Sequence, residues 1–242
     1  MTPPPFLPHP VDSTLLPLFS SCFDTTPDEA ARILAALAPD AFSLISSPDG
    51  HRPVSQGILI PLHLGDFAGF YLYALCTHPD YRGKGYLRRL LSAARSFAAA
   101  KGRSFLALIP ANAALCATYE RAGFTQSIGL HASADGSRFS LRLPPVDELP
   151  FSGDPASLYP SSSRMLPLSA FRAALLSLAG VGKIVLTPNG GWRMRSLPDP
   201  CLCFACDSAS LAQATVETGH TARILPLVPL SGLPDTADPL PR

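Results

Sequence analysis

The sequence predicts an α/β layered domain followed by a smaller α+β unit. Three observations carry that expectation. The first half reads as helix, helix, three strands, helix, strand, helix and further strands; the apolar period changes to that of a helix at Gly85; and a proline-rich stretch, "PPVDELPFSGDPASLYPSSS", divides the chain. The expected units are a first domain at 1–145, a linker at 146–165 and an accessory unit at 166–242.

The elements follow in order. Prolines at 3–10 read as a tail. Residues 11–23 have helical spacing of Leu15, Leu16, Leu18 and Phe19 despite Pro17. Thr26, Pro27 and Glu29 supply an N-cap, a first-turn proline and a capping-box acid ahead of "AARILAAL". Strands are expected near 41–46, 56–64 and 67–77, the last two joined tightly through Gly65-Asp66. From Gly85 to about Ala100, Leu87, Leu90, Leu91, Ala94 and Phe97 share one helical face. "SFLALIP" is a short buried strand, and 113–122 is a helix that Gly123 stops. Strands near 124–130 and 138–143 close the domain.

Composition excludes several classes. Formal charge is +1, so nothing global suggests nucleic acid or an anionic membrane, and charge matters only where it is concentrated. The longest uncharged apolar stretch, near 67–77, falls short of the roughly 20 residues that cross a bilayer. "MTPPPFLPHP" lacks a basic n-region and an unbroken apolar stretch, which makes the cytoplasm the expected location and thiols the expected state of the six cysteines. "CLCFAC", with Cys201, Cys203 and Cys206, has strand character and reads as buried small hydrophobes, so no metal is expected.

Positive charge is concentrated in "YRGKGYLRRLL" at 81–91. A strand that ends in a glycine turn and feeds a helix points backbone N–H groups and the positive end of the helix dipole at one spot. Gly83 and Gly85 let the chain curl there, and Arg82, Lys84 and Arg88 offer charge-assisted contacts. On these residues alone the segment is either an anion cradle or a solvated, basic first turn. It is neither a G-x-G-x-x-G fingerprint nor a G-x-x-x-x-G-K-[ST] loop.

"HPDYRGKGYLRRLL", followed by "IPANAALCATYERAGF", resembles the GNAT family of acyl-CoA-dependent N-acetyltransferases. The family's pyrophosphate signature, Q/R-x-x-G-x-G/A, corresponds to Arg82, Gly83, Lys84, Gly85, Tyr86 and Leu87, and its second signature to Asn112, Tyr119, Gly123 and Phe124. Leu87 stands where most members carry Gly or Ala. The Leu-Arg pair after the second glycine is similar to that of the Eis-like branch, whose members carry additional C-terminal domains.

The resemblance implies a mixed central sheet flanked by helices, with the strands at 67–77 and 104–110 splayed so that the pantetheine arm of acetyl-CoA lies between them. Backbone groups near Leu75, Cys76 and Thr77 would pair with that arm. Those of Arg82 to Leu87 would hold the pyrophosphate, with Arg88 beside them. Tyr119 would act as general acid toward the departing thiolate, since a phenol with an ordinary pKa of about 10 is protonated at neutral pH. Read without the resemblance, Tyr119 could equally pack its ring at a helix end. Asn112 could hold the cofactor or cap its helix. His63, Asp66, His78 and Glu120 are the nearest candidate bases in sequence, and each reads better as a turn or surface residue.

The C-terminal unit reads as a helix at 168–179, a hairpin through "PNGG", a strand at 201–205, a helix from Ser208 capped by Asp207, and a strand near 223–228. It is expected to cover part of the acceptor cleft or to mediate a homodimer. Two functions are thus open: acetylation of a small-molecule or peptide amine, or an acyl-CoA-binding or regulatory module without chemistry.

Overall fold

In the computed structural model of the chain, residues 4–23, 25–64, 67–128, 149–150, 182–186, 192–196 and 222–229 are described. Along the first domain run β1 (Leu7–His9), α1 (Leu16–Cys22), α2 (Pro27–Leu37), β2 (Phe42–Ser46), β3 (Ser55–Leu64), β4 (Phe67–Thr77), α3 (Tyr86–Ala100), β5 (Phe105–Leu108), α4 (Ala113–Arg121) and β6 (Gln126–Ile128). Further on lie β7 (Leu149–Pro150), β8 (Gly182–Leu186), β9 (Trp192–Ser196) and β10 (Ala222–Pro226).

Local chemistry sets the helix starts. The Glu29 N–H donates to the Thr26 hydroxyl at 3.3 Å and the Thr26 N–H to the Glu29 carboxylate at 2.9 Å, so the expected capping box closes at both ends. The helix expected over 11–23 is shorter. Asp12 accepts from the Thr14 N–H and opens a 3-10 turn at Ser13–Leu15, and α1 begins only at Leu16, with Pro17 in its first turn where a missing N–H does no harm.

Seven strands form one sheet in the order β1-β2-β3-β4-β5-β10-β6, in which only the β4–β5 pair is parallel. Side chains that alternate along β3 feed two cores. Leu59 joins Phe70, Leu72, Leu106 and Leu108 beneath Leu90, Leu91, Ala94 and Ala98 of α3. On the other face Ile58 and Ile60 pack with Leu15 and Phe19 and with Ile33, Leu34 and Leu37 of α2. This is the mixed sheet flanked by helices that the sequence led one to expect.

At the start of the β4–β5 pairing, Gly69 lies opposite Phe105, and a Cβ built on Gly69 would meet the Phe105 ring at 2.5 Å. Phe105 is fully buried, so its ring has nowhere to retreat. Gly69→Ala is expected to destabilise the domain by about 1–3 kcal/mol, seen as a lower midpoint with an unchanged slope in urea unfolding.

Three findings correct the expected organisation. The proline-rich N-terminus is not only a tail, because β1 pairs with β2. Its Pro8 is tolerated because β1 is an edge strand. Leu149 and Pro150, expected in the linker, pair with Leu186 and Val185 of β8, and β8 pairs antiparallel with β9 as a separate sheet. Most consequentially, the strand expected near 223–228 is β10, which is not part of a separate C-terminal unit. It lies between β5 and β6, with Arg223 opposite Leu108 and Ser127. The first domain therefore takes its penultimate strand from near the C-terminus. Ile224 in that strand is 1% exposed, and Ile224→Ala is expected to lower the stability of the whole domain by about 2–5 kcal/mol in the same urea titration. The Gly65-Asp66 turn, the expected strands at 138–143 and 201–205, the helices at 168–179 and from Ser208, and the cysteines of "CLCFAC" lie outside the described residues.

Candidate functional site

The β4 strand carries the decisive irregularity. Its ladder with β3 runs in register from Phe67 to Tyr73 (opposite Ile58) and resumes at Cys76 (opposite Gln56), so Ala74 and Leu75 face the single residue Gly57. Ala74 takes φ 51°, the only described non-glycine residue in the left-handed region, at a cost of about 1–2 kcal/mol. The bulge is held by packing. Leu75 sits against the first core, and a Cβ on Gly57 would meet its Cδ2 at 2.7 Å and Leu90 at 3.2 Å. On its other side β4 pairs with β5 only from Gly69 to Tyr71. Beyond Tyr71 the two strands part, and residues 72–77 run on without a β5 partner.

Of the backbone groups expected to bind there, two carbonyls are already engaged. Cys76 O accepts from the Ser55 hydroxyl at 3.0 Å, and Thr77 O accepts from Arg82 Nε at 3.1 Å and from Cys22 Sγ at 3.9 Å. The Ser55 and Thr77 hydroxyls also pair, at 2.9 Å.

Past the strand, His78 caps a 3-10 turn at Pro79–Tyr81 through Nδ1, and the chain enters α3 through Gly83 (φ 73°) and Gly85 (φ 80°). Gly85 is the N-cap and no side chain caps the helix, so the first-turn amides keep their donor capacity. A Cβ at either glycine would meet nothing within 4 Å, so backbone conformation rather than crowding demands glycine and the space above them is open. Exposed cations ring that space: Arg82 tied to Thr77 O, Lys84 donating to Asp80 O at 2.7 Å and lying 5.0 Å from the Tyr81 ring centroid, and Arg88 in the first turn. Tyr86 and Leu87 turn away from it. The Tyr86 ring is buried edge-on against Tyr81 and Phe6, and Leu87 packs on the first core, so only their backbone amides are left to the helix start.

A strand splayed at a bulge and a glycine-lined helix start lie within one stretch, and residues 13–124 match the model of the acetyltransferase (GNAT) family. Those residues form a GNAT domain. GNAT domains are the seat of acyl transfer from acyl-CoA. A probable N-acyltransferase of unknown function from Enterococcus faecalis has a similar structure, at 13% identity and a TM-score of 0.56, covering 91% of this chain and 71% of that one, which shows the fold alone. The GNAT N-acetyltransferase YhbS from Escherichia coli, solved with CoA, is 18% identical over 49% of this chain and 68% of its own, with a TM-score of 0.41. Eis1 from Mycobacterium abscessus is 16% identical over 78% of this chain and 53% of its own, with a TM-score of 0.47. The last two likenesses are too weak to carry argument. No curated protein sequence matches the chain.

Within the GNAT domain, Asn112 resolves one ambiguity: its Oδ1 accepts from the Leu115 N–H at 3.1 Å, which makes it the cap of α4. Tyr119, on α4, is 6% exposed and meets Phe124 edge-on at 6.1 Å, and burial raises its phenol above the ordinary value. Burial also raises Tyr71 well above that value, reinforced by the neighbouring phenols of Tyr73 and Tyr119. Tyr71 is the last β4 residue paired with β5. Tyr119 itself packs in the first core, together with Phe70 and Leu72 of β4 and Leu106 and Leu108 of β5.

The candidate bases are not brought there. His63 is exposed and pairs with Ala68 far along the hairpin, His78 caps its turn, and the Glu120 carboxylate pairs with Arg223 of β10 at 3.2 Å. Asp66 lies outside the described residues. The bulge at Ala74 was missed in the sequence. Gly57, a glycine inside a strand pattern, was the available signal for the bulge. Among the described residues, no group of three or more His, Cys, Asp or Glu could hold a metal, and no helix is long and apolar enough to cross a membrane.

Proposed function

We propose that this chain is an N-acetyltransferase that moves the acetyl group of acetyl-CoA to a primary amine of a small molecule or peptide in the cytoplasm. The observation that supports this reading most is the open, uncapped helix start at Gly83–Gly85 directly after the β4 bulge, in the same domain that packs Tyr119 in a core with Leu72 of β4 and Leu108 of β5. Backbone groups of β4 near Leu75, Cys76 and Thr77 receive the pantetheine arm, and the amides of Arg82 to Leu87 with Arg82, Lys84 and Arg88 receive the pyrophosphate. Asn112 has its amide nitrogen left for a ligand once its oxygen caps α4.

The amine nitrogen forms a bond to the acetyl carbon as the carbon–sulfur bond breaks. Tyr119 gives its proton to the departing sulfur, and the proton lost by the amine leaves through water, from which the phenolate is restored. Burial keeps the Tyr119 phenol protonated across the physiological range, the state that a general acid needs. Engagement of His78 and Glu120 elsewhere favours a second reading, an acyl-CoA-binding module without chemistry. A panel of small amines and peptides, assayed for release of free CoA thiol, separates them. Amine-dependent thiol release is the outcome expected here; binding of acetyl-CoA without release for every amine would favour the second reading.

A further inference from the structure

The Thr77 carbonyl ties the cradle to a part of the fold remote in sequence. The same oxygen accepts from Arg82 Nε at 3.1 Å and from Cys22 Sγ at 3.9 Å, so the last residue of α1 and the first cation of the glycine turn share one acceptor. Cys76, the preceding residue of β4, thus lies next in the chain to the carbonyl that the Cys22 thiol touches, and burial, with Cys22 after it, raises the Cys76 thiol. Both cysteines are unbridged and half-buried, within reach of a small oxidant. Gln56, directly opposite Cys76 in the ladder and so on the same face of the sheet, is fully buried, with neither Nε2 nor Oε1 partnered among the described residues. A buried carboxamide left without partners is costly, and it supplies a donor for an oxygen added to sulfur at this rung.

We propose that Cys22 and Cys76 are a peroxide-sensitive dithiol whose oxidation loosens the acyl-CoA cradle. The Cys22 sulfur attacks one oxygen of hydrogen peroxide; the O–O bond breaks, Cys22 becomes a sulfenic acid and water leaves with the thiol proton. The Cys76 sulfur then attacks the Cys22 sulfur, the S–O bond breaks, and hydroxide departs with the Cys76 proton as a second water. Two thiols and one peroxide thus give one disulfide and two waters, the peroxide being reduced. Cys22 is the first target. Burial first, and Cys22 after it, hold the Cys76 thiol well above the ordinary range, against the opposing charge of Arg82, so Cys76 is slow to react with peroxide itself. Bridging draws Cys22 from the Thr77 carbonyl and shifts the strand end on which Arg82 is anchored.

The effect on acyl-CoA rests on the proposed function, whereas the bridge does not, and the test separates them. The full chain is treated with hydrogen peroxide, its remaining thiols are alkylated, and its peptides are mapped by mass. The expected result is a linked Cys22–Cys76 peptide pair, lighter by two hydrogen atoms than its parts, absent from Cys22→Ser and released by dithiothreitol. CoA affinity of the oxidised wild type is expected to fall about tenfold and to recover on reduction, while that of Cys22→Ser ignores peroxide. Absence of the linked pair, or bridging of Cys22 to another cysteine, overturns the proposal. A bridge that forms with unchanged CoA affinity overturns the coupling. Reduced protein that binds no CoA overturns the functional reading and the coupling with it, leaving the bridge to be judged on the peptide pair.

Discussion

Tyr119→Phe is expected to lower turnover by about 10²–10³-fold while leaving acetyl-CoA affinity within about twofold. The ring would remain against Phe124 and the first core, since the contact between them is edge-on carbon packing and, among the described residues, no hydrogen bond anchors the phenol. Stability should therefore change by no more than about 0.5 kcal/mol, and a large loss of activity could not be blamed on unfolding. The pH profile makes the same claim in another way. A general acid is lost as pH rises through its pKa, and burial moves that point upward for Tyr119, so its loss should not limit activity on the alkaline side below about pH 10. Steady-state rates for wild type and variant, from pH 6 to 10 on the order of the usual assay range, check both statements. Undiminished turnover of the variant would remove Tyr119 from the mechanism.

Gly85→Glu is expected to weaken acetyl-CoA binding by about 100-fold or more. Two effects add. Gly85 sits at φ 80°, where a side-chain-bearing residue is strained by about 1–2 kcal/mol, and the added carboxylate would enter the open space where the first-turn amides of α3 and the Arg82, Lys84 and Arg88 side chains favour an anion. A Cβ meets nothing there, so the variant should still fold, with a melting temperature lower by only a few degrees. Gly85→Ala separates the contributions: it carries the strain without the charge and should lose about tenfold. Equal losses for the two variants would mean that the site has no preference for anions.

Much of this fold was legible because its signals are local. Thr26, Pro27 and Glu29 specify the start of α2 within four residues, the change of period at Gly85 specifies α3, and Gly123, at φ 99°, stops the segment after α4 as its position suggested. What was illegible depends on partners distant in sequence. "ARILP" at 222–226 has the pattern of a strand, but nothing in it says that it will slot between 105–108 and 126–128 rather than join its own neighbours. Ala74 adopts a left-handed conformation that alanine disfavours, imposed by Leu75 packing over Gly57. Pro8 hid β1, since a proline at an exposed edge looks the same in sequence as a proline in a tail. The glycine turn and helix start at 82–88 were read from the sequence, whereas the β4 bulge just before them was not.

The central claim is that residues 72–88 bind acyl-CoA, and calorimetric titration of the purified chain with acetyl-CoA and with CoA tests it most directly. Binding in the micromolar range is expected for both ligands, lost in Gly85→Glu and retained in Tyr119→Phe. A folded wild-type protein that takes up neither ligand at concentrations up to about 1 mM would contradict it, leaving a GNAT fold without its cosubstrate.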